Sequence, residues 1–293
     1  CCWGRPTLSP LAVEFPGPAA QNLFGGAGGT PSLAFSSMAD GAHETRWFLE
    51  TAAATPFVAG VVGWVDLTDP NVAETLAEKT GLGSRDRFLA LTGDPSLVRD
   101  IDPDAGTLEG YLFPDTYEFT PRTTPEELIA QMVERFRKVY ASMPEFSQVA
   151  AQRKMTVHEL VTLASMIEEE ARVDEERPVI ASVFYNRLDK KMRLASDPTF
   201  VYAALPANDY DNNVNNPKHR SRLSPYNTYV FDGLPPGPIA NPGLKSIEAV
   251  LAPSATQYLY FVVNGTEGRH KFSRTVAEHE AAVAEYRRQQ REQ

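Results

Sequence analysis

Residues 155–172 read MTVHELVTLASMIEEEAR, and this run decides the fold class. Thr156 and Glu159 form a capping box, with Met155 and Leu160 at the two positions of a hydrophobic staple, so a helix is predicted from about Val157 to Arg172. At about 100° per residue, Leu160, Leu163, Ala164, Ile167 and Ala171 fall on one apolar stripe. Glu169 then points away from the core, while Glu168 and Glu170 lie about 80° to either side, at the edge of the buried face. A carboxylate at such an edge loses part of its water. Its pKa rises and it stays protonated near neutral pH, as a general acid must. Periodicity does not choose between Glu168 and Glu170, and three consecutive glutamates more often form a solvated helix face.

Working outward, Thr124, Pro125 and Glu127 cap a long amphipathic helix carrying Leu128, Met132, Val133, Phe136 and Tyr140 on one face. Asp69 before Pro70 marks an earlier helix start. Downstream, Pro178 sits near the first turn of a helix with Ile180, Val183, Phe184 and Leu188 at core spacing. Asp197 and Pro198 read as the N-cap and first residue of a short helix carrying Thr199 and Tyr202. The chain is then polar to Arg222, and aromatic and Pro-rich through YNTY (226–229) and GLPPGPIANPG (233–243). So many prolines fix the path of that last loop, which either walls a groove or closes the fold. YLYFVV (258–263) predicts a strand bounded by Asn264 and Gly265, and Thr275 with Glu278 caps a last helix whose tail frays. The mixture predicts an α+β fold, mainly helical, with a small sheet near the C-terminus.

The 293 residues are 42% hydrophobic and 23% charged, an ordinary globular composition. A net charge of -10 without a dense Lys/Arg stripe argues against nucleic acid as a partner. Cys1 and Cys2 are the only cysteines, so there is no disulfide framework, and no apolar run is long enough to span a membrane. The sequence carries no Walker loop, no GxGxxG and no GxSxG elbow. His270 and His279 lack an HExxH partner, so neither metal nor cofactor is expected. The polar residues set in turn-rich aromatic sequence are Asn186, Arg187, Asp197, Thr199, Tyr202, Tyr226, Asn227 and Tyr229. Tyr and Asn on rigid loops can stack on and bond sugars, and Arg can hold a carboxylate, but each residue is equally read as a cap or a core side chain.

LASMIEEEARVDEERPVIASVFYNRL (163–188), MRLASDPTFVYA (192–203), YNTYVFDGLPPGPIANPGLKSIEAVLAP (226–253) and YLYFVVNGTEGRHKFSRTVAEH (258–279) together resemble the MltG (YceG-like) endolytic murein transglycosylase family. EGYLFPDTYEF (109–119) is similar to that family as well, and the likeness runs in order from about Val65 to Tyr286. The resemblance implies a YceG-like catalytic domain that cleaves nascent peptidoglycan glycan strands without water. The products would be 1,6-anhydro-N-acetylmuramic acid ends, with strand elongation terminated. It puts the catalytic acid at Glu170, the last acid of an E-x-E pattern, with Glu168 as the first and Glu169 in the variable middle. It also raises Glu168, Asn186, Arg187, Asp197, Thr199, Tyr226, Asn227 and Tyr229 to candidate substrate contacts.

The implied partners are peptidoglycan glycan strands and peptidoglycan synthases. The implied location is the cell membrane, with the catalytic part on its outer or periplasmic face. Residues 1–64 are Gly/Pro-rich and match neither the membrane helix nor the LysM-like subdomain of the family, so they are expected to be non-globular or atypical, with the LysM-like part missing or degenerate and the anchor absent from this chain. Residues 65–150 are expected to form the helical N-terminal part of the YceG-like region, and 151–289 the catalytic part. A lyase of this kind needs one carboxylate, because the substrate supplies the nucleophile, whereas a hydrolase needs a second about 5 to 10 Å away. Two alternatives stay open from sequence: a water-using muramidase on the same fold, and a peptidoglycan-binding protein without turnover.

Overall fold

The computed structural model describes residues 72–292 apart from 118, 121, 206–208, 212, 215 and 265–267, together with two strands at 33–36 and 58–62. The helix start read at Asp69 and Pro70, and residues 1–71 other than those two strands, lie outside the described residues. The chain forms two compact units, one of residues 1–93 with 115–132 and one of 94–114 with 133–293. In the first, β1 (Leu33–Ser36) pairs in parallel with β2 (Val58–Val62), with an irregularity after Leu33. Helices α1 (Val72–Thr80) and α2 (Arg85–Thr92) pack on each other. Ser84 caps α2 through the Arg87 N–H, and the Arg87 guanidinium pairs with Glu126.

Helix α3 (Pro125–Ser142) begins as its sequence dictates, with the Thr124 N–H donating to Glu127 and the Glu127 N–H to Thr124. Its apolar face is core: Leu128, Met132, Val133 and Phe136 are all buried. The second unit continues with α4 (Glu145–Arg153) and α5 (Val157–Glu170), whose capping box between Thr156 and Glu159 is complete. Every residue from Leu160 to Ile167 is buried, because α5 is enclosed by α4, α6 (Arg177–Asp189), α7 (Asp197–Ala204) and α9 (Leu244–Leu251). A helix enclosed on all sides has no solvated back. Glu169 is accordingly part-buried rather than turned to open water.

Helix α5 stops two residues before the sequence reading placed its end, since Ala171 is extended. A second correction falls on α7. Ser196 is the N-cap and Asp197 the first helical residue, one position off the expected register. The short α8 (Pro217–Arg220) follows. The Pro-rich loop closes the fold: the Ile239 N–H donates to Ser165 on α5, and Asn241 Oδ1 accepts the N–H groups of Gly110 and Leu112. The predicted strand is β3 (Tyr260–Val263), paired antiparallel with β4 (His270–Ser273), and α10 (Val276–Glu292) packs on both. The small sheet and helical majority agree with the α+β reading. Among the described residues no helix is long and apolar enough to cross a membrane.

Candidate active site

Glu170 is the last residue of α5, so its side chain leaves the helix where the backbone turns away. Desolvation pushes its carboxyl up to about 7, helped by the negative charge of Asp197 and opposed by the Ser196 hydroxyl and the positive charge of Arg187. Ser196 Oγ donates to Glu170 Oε1 at 2.6 Å. Close to half of such carboxyls are protonated at neutral pH, so the group can give a proton and take one back.

Arg187 reaches the same place from α6. Its Nε donates to the Leu259 carbonyl and Nη1 to the Leu194 carbonyl, each at 2.6 Å, and its guanidinium lies 5.2 Å from the centre of the Tyr260 ring. Burial holds its pKa below the ordinary arginine value. Asp197 accepts the Tyr229 hydroxyl at 2.5 Å and faces Arg220 at 3.4 Å. Tyr229 is pushed well up, first by burial and then by Asp197. Glu170, Ser196, Asp197, Arg187 and Tyr229 therefore form one electrostatic cluster. Tyr226 belongs to a second cluster, its ring 4.9 Å from that of Tyr202, and burial raises both phenols ahead of the charge of Glu109.

Of the remaining expected contacts, Asn227 and Thr199 are buried, while Glu168 and Asn186 are part-exposed. Glu168 Oε2 accepts the Gly243 N–H at 2.9 Å and Oε1 faces Arg177 at 3.2 Å, so this carboxylate anchors the N-terminus of α9, where negative charge is favoured. Asn227 has no exposed surface. Its amide donates to the carbonyls of Arg220 and Arg222 and accepts the Tyr229 N–H, which shapes the loop. Thr199, equally buried, donates to the Ser196 carbonyl. Asn186 spends both amide protons on the carbonyls of Thr256 and Tyr258. All four polar side chains thus have hydrogen-bond or ion-pair partners within the fold.

Two groups escaped the sequence reading. Ser196 stood inside the LASDP run without a pattern to single it out. His158, inside the capping box, has Nδ1 2.7 Å from Asp102 Oδ2 and Nε2 2.8 Å from the Pro236 carbonyl, and Tyr111 donates to the same Asp102. Only the spatial meeting of residues 102, 111, 158 and 236 reveals it. His270, by contrast, is held by Glu176 at 2.7 Å. Among the described residues no group of three or more His, Cys, Asp or Glu is placed to hold a metal ion.

Residues 66–285 match the model of the YceG-like family. A Bacillus subtilis protein named endolytic murein transglycosylase is 38% identical over 238 residues, covering 73% of this chain and 61% of that protein. A Streptococcus pneumoniae protein of the same name is 37% identical over 205 residues, covering 66% of this chain and 35% of that protein. The chain thus spans less than two thirds of the length of these relatives. The crystal structure of a YceG-like protein from Listeria monocytogenes is also similar, with a TM-score of 0.67, 32% identity, and 82% of this chain and 81% of that one covered. The chain belongs to the YceG-like family.

Proposed function

We propose that the chain is a lytic transglycosylase acting within peptidoglycan glycan strands, with Glu170 as its single acid and base. The observation that carries this reading is the carboxyl of Glu170, desolvated at a helix end, pushed up to about 7 and still part-accessible. Protonated Glu170 gives its proton to the oxygen of the MurNAc-GlcNAc bond as the C1–O bond breaks and C1 gains oxocarbenium character. The resulting carboxylate takes the proton of the muramic C6 hydroxyl, whose oxygen closes on C1. The new C6–O–C1 bond gives the 1,6-anhydro end, and Glu170 returns to its protonated form. No water is consumed. The names of the Bacillus and Streptococcus relatives support the substrate and the reaction class.

Asp197 gives the water-using alternative its specific footing, since its charge is felt at Glu170. Its carboxylate accepts the Tyr229 hydroxyl and faces Arg220, which makes it a poor base for activating water. On the favoured reading the protein works in the cell envelope, attached to the membrane through an anchor. It terminates the elongation of nascent strands beside peptidoglycan synthases. The test is mass spectrometry of products from uncrosslinked nascent strands treated with the protein and with Glu170→Gln. Anhydro ends from the first and none from the second are expected. Reducing ends would convert the reading to the muramidase, and intact strands in both would leave a glycan-binding protein.

A further inference from the structure

A serine at a helix N-cap ordinarily turns onto its own helix and accepts an N–H two or three residues on. Ser196 stands at the N-cap of α7 and makes no such bond. Its hydroxyl is diverted across to α5, where it donates to Glu170 Oε1 at 2.6 Å, and the residue is 2% exposed. The backbone around it is clamped. The Ser196 N–H donates to Thr228 Oγ1 at 3.0 Å, its carbonyl accepts Thr199 Oγ1 at 2.6 Å, and the Ala195 N–H donates to the Thr228 carbonyl at 3.1 Å. The two threonine hydroxyls meet at 2.9 Å. Ala195 is held at φ 45°, a left-handed conformation that a residue with a Cβ adopts only when its surroundings impose it. A helix cap forgone, a strained residue and a buried threonine pair all serve to put one hydroxyl against one oxygen.

We propose that Ser196 is a positioning residue for the Glu170 acid, fixing which carboxyl oxygen bears the catalytic proton. A protonated carboxyl has one O–H and one carbonyl-like oxygen. With Oε1 taking the Ser196 proton, the acid proton resides on Oε2, the oxygen left to meet the glycosidic bond. When that proton leaves, the Ser196 hydrogen bond becomes charge-assisted and steadies the carboxylate until the C6 hydroxyl returns a proton. No bond to Ser196 itself forms or breaks.

This inference rests on the reading of Glu170 as the acid, and its test separates the two. The full chain carrying carbon-13 at glutamate carboxyls is titrated by NMR, with the Glu170 signal identified by its loss in Glu170→Gln. The pH profiles of kcat and KM on nascent strands are measured in parallel. Ser196→Ala should raise the Glu170 midpoint by about one pH unit, the worth of one hydrogen bond to a charged group. It should move the basic limb of kcat up with it, and lower kcat at pH 6 about tenfold with little change in KM. Ser196→Cys, close in size but a weaker donor, should fall between. An unmoved midpoint in both variants overturns the inference, as does a moved midpoint with kcat at pH 6 intact. Equal cleavage by wild type and Glu170→Gln would overturn the acid assignment instead, and would show in the products rather than in the midpoint.

Discussion

Glu168 and Glu170 are the same side chain two residues apart on one helix, and their neighbours give them different work. Glu168 meets Arg177 and the Gly243 N–H, so its charge is welcome where it lies. Glu170 meets one hydroxyl and a dry surround, so its charge is resisted. Periodicity put both at the edge of the buried face and could go no further, because the difference is made by residues 177, 196 and 243, which helix geometry does not see. The same blindness covers Asn227 and Thr199, whose side-chain types suit a sugar groove as well as a buried loop. Glu170→Gln keeps the shape and removes the proton, so kcat should fall at least a hundredfold with KM nearly unchanged. In the wild type, kcat should decline as pH rises through about 7, since only protonated Glu170 can act. A rate that instead climbed through that range, followed by release of anhydro ends, would remove Glu170 from the role of acid.

Elements were legible wherever the sequence carried local chemistry. The capping boxes at Thr124, Thr156 and Thr275 each gave a helix start that the structure repeats. Long-range features were not. Strand β4 was missed because HKFS has no alternation of its own and is a strand only through its pairing with β3. The seam between the Pro-rich loop and the EGYLF segment is of that second kind, since residues more than a hundred apart must meet. Asn241 Oδ1 accepts two buried N–H groups there, so Asn241→Ala should cost about 2 to 4 kcal/mol by leaving both unpaired. Gly110 has φ 91°, and a Cβ on it would lie 2.5 Å from Pro238, so Gly110→Ala should cost about 2 kcal/mol or more. Chemical denaturation of both variants checks these values. Losses under about 0.5 kcal/mol would mean that the seam does not hold the loop.

Across the whole molecule, the groups with displaced pKa values set how stability must vary with pH. Glu170 holds its proton more tightly folded than unfolded, so its contribution is full below the ordinary glutamate value of 4.5 and is lost as pH rises through about 7. His158 is raised first by its hydrogen bond to Asp102, with the Pro236 carbonyl adding to it. Its contribution is full below the ordinary 6.5 and is lost as pH climbs past that value. Asp102 runs the other way. Burial resists its ionisation, but His158 and Tyr111 overcome that and hold it below 3.8, so its contribution is lost as the solution turns more acid than that. His279, lowered first by burial, opposes Glu170 and His158, since its contribution is present above 6.5 and is lost as pH falls. Glu170 and His158 together should make the fold melt lower at pH 8.5 than at pH 5.5. Glu170 supplies on the order of 2 kcal/mol of that difference. In Glu170→Gln the decline from pH 5.5 to 7.5 should be visibly shallower, because the amide has no proton to lose, while the fall above pH 6.5 that belongs to His158 stays. Differential scanning calorimetry of the two proteins across that range measures both slopes, and parallel curves would mean that Glu170 is solvated enough to titrate as an ordinary glutamate.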